Sequence, residues 1–309
     1  MAQTTSDALS AAITFRVQKK VLANLRAKLI FADPAYAEKG ELNGGGADTI
    51  LFVSYPDLAI NTTPLTEGTA PTARALTQNT VVVDTDQFGD LVDLSDIAKV
   101  KSPVDLADIA AERISRQAAE SIDKISRDAI ALGGTPLYQS GDTTRSGLAS
   151  TDYLIAADVM SMRAKMVAAK IPFMADGMYK LLVHPYVAYD LRSEAVSSAG
   201  AWMDVNRYAK PDTIMKGEVG SFHGFHVIEV NNAPTVASTT TVYLSFALGD
   251  IKGWGAGELQ SLQIKHVAPG GDHSDPLGQS ELFGWKVQFG VAPLNNSFYY
   301  RMESAASLT

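Results

Sequence analysis

Residues 56–96 read PDLAINTTPLTEGTAPTARALTQNTVVVDTDQFGDLVDLSD, and the fold turns on this stretch. Its middle, Pro64 to Pro71, is dominated by Thr, Pro, Gly and Ala, whereas Leu76 to Phe88 holds the β-branched and aromatic types that favour extended backbone. The pattern predicts a long two-stranded excursion with an irregular tip. A two-stranded ribbon alone in water is marginally stable, so this one needs another chain to lie upon. Asp57, Glu67, Asp84, Asp86, Asp90, Asp93 and Asp96 make it acidic, and Arg74 is the only basic residue between Lys39 and Lys99. Asp84 and Asp86 alternate on a strand without the other features of a calcium loop, so a solvated or partner-facing edge is the better reading of the pair.

Downstream, Ser102 and Pro103 are expected to open a helix, with Asp105 and Asp108 complementing the positive end of its dipole. Leu106, Ala110, Ile114, Ala118, Ile122, Ile125, Ala129 and Leu132 keep one apolar stripe until Gly133 and Gly134 stop it. At 1.5 Å per residue such a helix is about 45 Å long and is expected to brace an extended body. Upstream, Thr49 to Tyr55 reads as a strand, preceded by a plain turn at Asn43 to Gly46. Between Ala8 and Ala32 no acidic residue occurs, and Arg16, Lys19, Lys20, Arg26 and Lys28 punctuate Ile13, Val17, Val21, Leu25 and Leu29. That is a basic amphipathic helix, read as packing on an interface or core ahead of membrane or nucleic-acid contact.

Beyond a polar loop at 137–150 the order is a helix from Thr151 to Ala169, a buried strand at Leu181 to Val183 and a helix to Ala195, which together suggest a separate α/β middle. From Gly217 the chain shifts towards strands, at 222–229, 242–246, 259–267 and 283–291. In the last of these Phe283, Trp285, Val287, Phe289 and Val291 alternate with polar or small residues, so one face is buried. Asn295 and Asn296 signal a turn after which Phe298 to Glu303 is expected to return beside that strand.

Chemistry is sparse. The five histidines are His184, His223, His226, His266 and His273. His223 and His226, read on one strand, point to opposite faces and make a poor metal pair. Gly253, Trp254, Gly255, Ala256 and Gly257 lack dinucleotide-loop spacing and read as turn glycines beside a packed tryptophan. Glu112, Glu120, Asp123 and Asp128 are placed with Arg113, Arg116, Lys124 and Arg127 on a solvated helix face. No cofactor is implied. The 309 residues contain no cysteine, which excludes disulfides and thiolate sites, and no signal-type or membrane-spanning run is evident. A hydrophobic content of 46% with 19% charged residues marks a folded chain, and a net charge of -8 disfavours tight wrapping by nucleic acid.

The ordered set of features resembles the HK97-fold major capsid proteins of tailed bacteriophages. The residues that carry the resemblance are Leu65 to Gly68 with Gln87 to Gly89, the helix at Ser102 and Pro103, Gly217 to Gly220, Gly224 to Glu229, Asn231 to Pro234, and Ser274 to Gly278 with Gly284 to Lys286. Together they span nearly the whole chain.

The resemblance implies an α+β HK97-like capsid fold: an N-terminal arm over 1–55, an E-loop over 56–98, a P-domain with its spine helix at 99–140 and returning strands at 259–309, and an A-domain at 141–258. It implies a structural, non-enzymatic protein whose copies form hexamers and pentamers of an icosahedral virion head around double-stranded DNA. Assembly would take place in the host cytoplasm. Partners implied are the chain itself, a scaffold and a cement protein, the portal, and packaged DNA by weak non-specific contact, with no membrane. Some relatives carry an N-terminal scaffolding segment; Met1 lies too close to the arm for one, so a separate scaffold or prior cleavage is expected. Relatives that cross-link through a Lys-Asn isopeptide bond place the lysine on the E-loop, where this chain has none, so closure is expected to be non-covalent. The interface residues expected are Glu67, Arg74, Asp84, Asp86 and Asp90, with Arg113, Arg116 and Arg127 on a neighbouring copy. The alternatives are an α/β hydrolytic enzyme with residues assembled from distant positions, and a membrane-associated scaffold using the basic N-terminal helix.

Overall fold

The structure is a computed structural model that describes residues 30–31, 37–41, 49–56, 58–65, 67–197, 202–204, 218–250, 252–270, 275 and 277–308. The basic helix expected at 8–32, the turn at 43–46, Asp57 and His273 lie outside or almost wholly outside these residues. The first half runs β1 (Ala37–Glu41), β2 (Thr49–Ser54), β3 (Asn79–Asp84), β4 (Asp86–Ser95), α1 (Asp96–Lys101), α2 (Leu106–Ala131), β5 (Thr135–Tyr138) and α3 (Ala156–Ala168). The second half runs β6 (Tyr179–Val183), α4 (Pro185–Ser197), β7 (Trp202–Asp204), β8 (Glu218–Phe222), β9 (Phe225–Glu229), β10 (Thr235–Ala237), β11 (Thr241–Leu248), β12 (Trp254–Val267), β13 (Ser280–Pro293) and β14 (Tyr299–Ser304).

The long helix begins later than expected. The Asp105 side chain accepts from Ala107 N at 3.0 Å and Asp108 N at 3.3 Å and so caps α2. Ser102 instead closes a local turn with Val104, and Ser95 caps the short α1 before it. With 26 residues α2 is about 39 Å long. Its buried positions Ala110, Ile114, Ala118 and Ile122 pack on Phe283, Trp285, Val287 and Phe289, the alternating inward face of β13. Each large side chain so buried stabilises the pair by about 1.5–3 kcal/mol. Strand β13 sits in a four-stranded sheet of order β1-β12-β13-β4.

A second sheet, of order β5-β14-β11-β6-β9-β8-β7 with β10 on β11, is covered on both faces. Leu181, Val183 and Val227 meet Val159, Met162, Met166, Val187 and Leu191 of α3 and α4 on one face. Leu182, Ile228, Leu244 and Phe246 meet Phe31, Ile130, Trp254 and Tyr299 on the other. This two-sided burial explains the unbroken apolar run of β6.

Three sequence expectations change. Strand β14 does not return beside β13: Leu294 N and Asn295 N bond to Gly253 O, the turn carries the chain into the second sheet, and β14 pairs antiparallel with β11 and parallel with β5. Buried Tyr299 fixes that crossing by packing on Trp254 at 5.4 Å. Residues 222–229 are not one strand but the β8–β9 hairpin, turned by His223 (φ 46) and Gly224 (φ 85), a primed-type geometry that matches strand twist. Helix α3 starts at Ala156 because Asp152 is used to accept Ala149 N at 2.7 Å and close the preceding turn.

Two buried charges tie distant parts together. Glu303, fully buried, accepts from Arg145 at 2.6 and 2.8 Å and lies 2.9 Å from Arg301 Nε. Asp123, placed on a solvated face by its sequence neighbours, is in fact 4% exposed and accepts Ile30 N and Phe31 N at 2.8 Å each. It also accepts from Asn232 at 3.2 Å, so the N-terminal segment, α2 and the second sheet share one carboxylate.

Candidate functional site

Strands β2 and β3 form a two-stranded antiparallel sheet that joins neither larger sheet. Side chains alternate, so Ile50, Phe52, Val81 and Val83 share one face and Leu51, Val53 and Val82 the other. Only the root is covered: Ile50 and Val83 are buried, Phe52 and Val81 half-buried. On the root's other face Leu51 and Val82 are exposed, and so, further out, are Val53, Tyr55, Leu58, Ile60, Leu65 and Leu76, Ile60 at 82%. The described residues between the two strands carry no helix or strand. Exposed apolar side chains gathered in one segment are what an interaction surface presents.

The residues singled out in the sequence divide into two groups. Asp84 and Asp86 are exposed on either side of buried Thr85, where the chain passes from the hairpin into β4; Glu67 at the tip and Arg113 on α2 are exposed as well. The rest hold partners in their own chain. Arg74 Nη1 donates to Ala59 O at 2.5 Å and ties the two limbs of the tip together. Asp90 accepts from Gln117 Nε2 at 2.5 Å and from Leu91 N at 2.8 Å, and these two bonds hold its carboxyl below the usual range. Arg116 pairs with Glu120 at 2.8 Å, one turn along α2. Arg127 donates to Asp128 at 2.6 Å and to Asn232 O and Oδ1 at 3.1 and 2.6 Å. At 100° per residue Arg113, Arg116 and Arg127 nevertheless share one exposed-side stripe of α2.

The glycine-rich run at 253–257 is not a loop. Gly255 and Gly257 lie within β12, directly under Phe52 and Ile50 of the hairpin root. Sequence reasoning missed this seat, and it also missed the exposed apolar positions as the site itself. The available signal was that β2 and β3 carry apolar residues at both odd and even positions, which a lone ribbon cannot bury on both faces.

Other polar clusters are structural. Buried Lys180 pairs with Asp176, which lies 3.2 Å from His226 Nε2; burial works to raise the Asp176 pKa, but the hydrogen bond and charge of Lys180 and the charge of His226 hold it below the ordinary value. His266 bonds Glu281 at 2.6 Å while Lys99 pairs with the other carboxylate oxygen, and burial, then the Lys99 charge, lowers the His266 pKa. Among the described residues no three His, Asp or Glu side chains gather to hold a metal, and no helix is long and apolar enough to cross a membrane. An open cleft of about 380 Å³ between β4 and α2 is lined by Phe88, Asp90, Gln117, Ser121, Lys124 and Trp285.

Compared with known proteins, residues 78–301 match the family model described as phage capsid protein. No curated protein matches the chain. Among solved structures, the capsid of Ralstonia phage GP4 aligns with TM-score 0.72 and 13% identity over 92% of this chain and 91% of that one. The capsid of cyanophage P-SCSP1u aligns with TM-score 0.66 and 16% identity over 90% and 89%, and that of cyanophage Pam1 with 0.64 and 13% over 92% and 94%. At these identities the likeness establishes the fold, the α+β HK97-like capsid fold expected from sequence.

Proposed function

Because the chain belongs to the phage capsid protein family, a structural family of the virion shell, we infer that it is the wall-building subunit of an icosahedral head, self-associating as hexamers and pentamers through its exposed hairpin. The carrying observation is the hairpin itself: apolar on both faces and, among the described residues, covered only at one face of its root. In this reading residues 1–55 act as the N-terminal arm and end in β2, 56–98 as the E-loop, whose β3 pairs back onto β2, α2 with the four-stranded sheet as the P-domain, and the eight-stranded sheet as the A-domain. Strand β14, within 259–309, then belongs to the A-domain sheet.

Apolar burial supplies the energy. Each of the exposed hairpin side chains contributes about 1.5–3 kcal/mol when a neighbour covers it, against about 0–1 kcal/mol for an exposed ion pair. Asp84 and Asp86 meeting Arg113 of the next copy set register, while Asp90, Arg116 and Arg127 would exchange their present partners to join. The hairpin contains no lysine, so closure is non-covalent, aided by a cement protein. Scaffold and portal complete assembly in the host cytoplasm, and the acidic wall touches packaged double-stranded DNA weakly and without sequence preference. The role is structural, with no catalytic step.

Negative-stain microscopy of the purified full chain tests this. Uniform shells, rings or sheets of repeating rosettes are expected; compact monomers at every concentration and salt would overturn it.

A further inference from the structure

The hairpin root rests on backbone rather than on side chains. Gly257 of β12 pairs with Gly290 of β13 on one side and with Gly40 of β1 on the other, so three glycines stand abreast across three strands. Directly paired residues point to the same face of a sheet. Here that face receives the hairpin. A Cβ on Gly257 would lie 2.3 Å from Ile50 Cδ1, one on Gly255 2.7 Å from the Phe52 ring, and one on Gly290 2.0 Å from Asp84 O.

We propose that Gly255, Gly257 and Gly290 form the seat that sets the angle at which the hairpin leaves the body, making them positioning residues for assembly although none lies in the hairpin. This deepens the assembly reading and rests on it. The geometry is that of a lever. Ile50 and Phe52 contact the seat two residues apart, about 7 Å, whereas the paired strands run about 20 Å. Restoring carbon contact over an added methyl lifts the Ile50 end by roughly 1–1.5 Å, which tilts the ribbon about Phe52 and moves Leu76, roughly 17 Å beyond that pivot, by about 3 Å. Close-packed surfaces do not tolerate such a shift. The apolar tip would then miss its place on the next copy while the body stays folded.

The chain has no cysteine, so paired spin labels can be placed at Leu76→Cys and Glu112→Cys, both exposed, and the tip-to-helix distance measured in unassembled subunits. Gly257→Ala is expected to shift the mean distance by about 3 Å and to lower particle yield about ten-fold or more. Adding Ile50→Val, which removes the colliding Cδ1, is expected to restore both. Gly284→Ala, on β13 against Asp90 O and away from the hairpin, is the control that should leave the distance unchanged. An unshifted distance in Gly257→Ala, or no recovery with Ile50→Val, would overturn the seat. If Gly257→Ala does not fold, Gly255→Ala with and without Phe52→Ala is judged by the same two criteria. A shifted distance in a parent chain that never forms particles would keep the seat and reject the assembly reading instead.

Discussion

The eight-stranded sheet and the β2–β3 hairpin are built from the same kinds of residue, but their surroundings differ completely. Strand β6 is buried at every position, including Lys180 held by Asp176, because helices cover one face and Trp254, Tyr299 and Phe246 fill the other. The hairpin carries Leu51, Val53 and Val82 outward, and all three are exposed among the described residues. On the proposed function, stability therefore resides in the body and association in the arm. Away from the glycines on which the hairpin root rests, changes in one region should barely affect the property that belongs to the other.

The largest expected effect separates the two outright. Replacing residues 55–78 by an Asn-Gly turn should abolish particles in sedimentation, while the melting temperature of the subunit moves by no more than a few degrees. A collapse of the melting transition would show that the tip supports the body, contrary to the contrast drawn here. Next, Glu303→Ala removes the carboxylate shared by Arg145 and Arg301 and leaves Arg301 buried without it. A loss of about 3–5 kcal/mol in urea unfolding is expected, with assembly falling only in proportion to the folded fraction.

A smaller effect follows from His266. Burial and the Lys99 charge lower its pKa below the ordinary 6.5, so the unfolded chain binds the proton more tightly. This contribution to stability is complete above the ordinary histidine value and is lost as pH falls from there through the lowered one. The urea midpoint should drop between about pH 7.5 and pH 5.5, and His266→Gln should flatten that part of the slope; an unchanged slope would remove His266 from the account. Smallest of all, Asp84→Lys with Asp86→Lys should raise the concentration needed for assembly by only about five-fold per charge at most, and less in high salt. An effect of a hundred-fold would mean that charge, and not apolar area, holds the arm.

Local pattern carried much of this architecture and failed where distant parts meet. The alternation of Phe283, Trp285, Val287 and Phe289 and the apolar stripe of α2 were legible because each is written within one segment; the excursion expected at 56–96 is displaced, since its strands are Thr49–Ser54 and Asn79–Asp84 while Asp86–Ser95 joins the four-stranded sheet through β13. The start of α2 was misplaced because Ser102 and Asp105 are both competent caps, and only the break after α1 selects the second. The path of β14 depends on Tyr299 finding Trp254, and the role of Asp123 depends on Ile30 and Phe31, more than ninety residues away. The charged interface residues were visible by type, but which of them are already engaged was not: Asp90 with Gln117 and Arg127 with Asn232 are tertiary facts. The glycines at 255 and 257 looked like a turn because their purpose lies in Phe52 and Ile50, on a strand two hundred residues earlier.

The most direct measurement is backbone hydrogen exchange over residues 49–84, in dispersed subunits and in assembled material. Amides beyond the root should exchange nearly freely in the subunit and slow by about a hundred-fold or more once copies associate, while β6 and β11 stay protected in both. Equal protection beyond the root in the two states would contradict the claim that neighbouring copies cover the arm there.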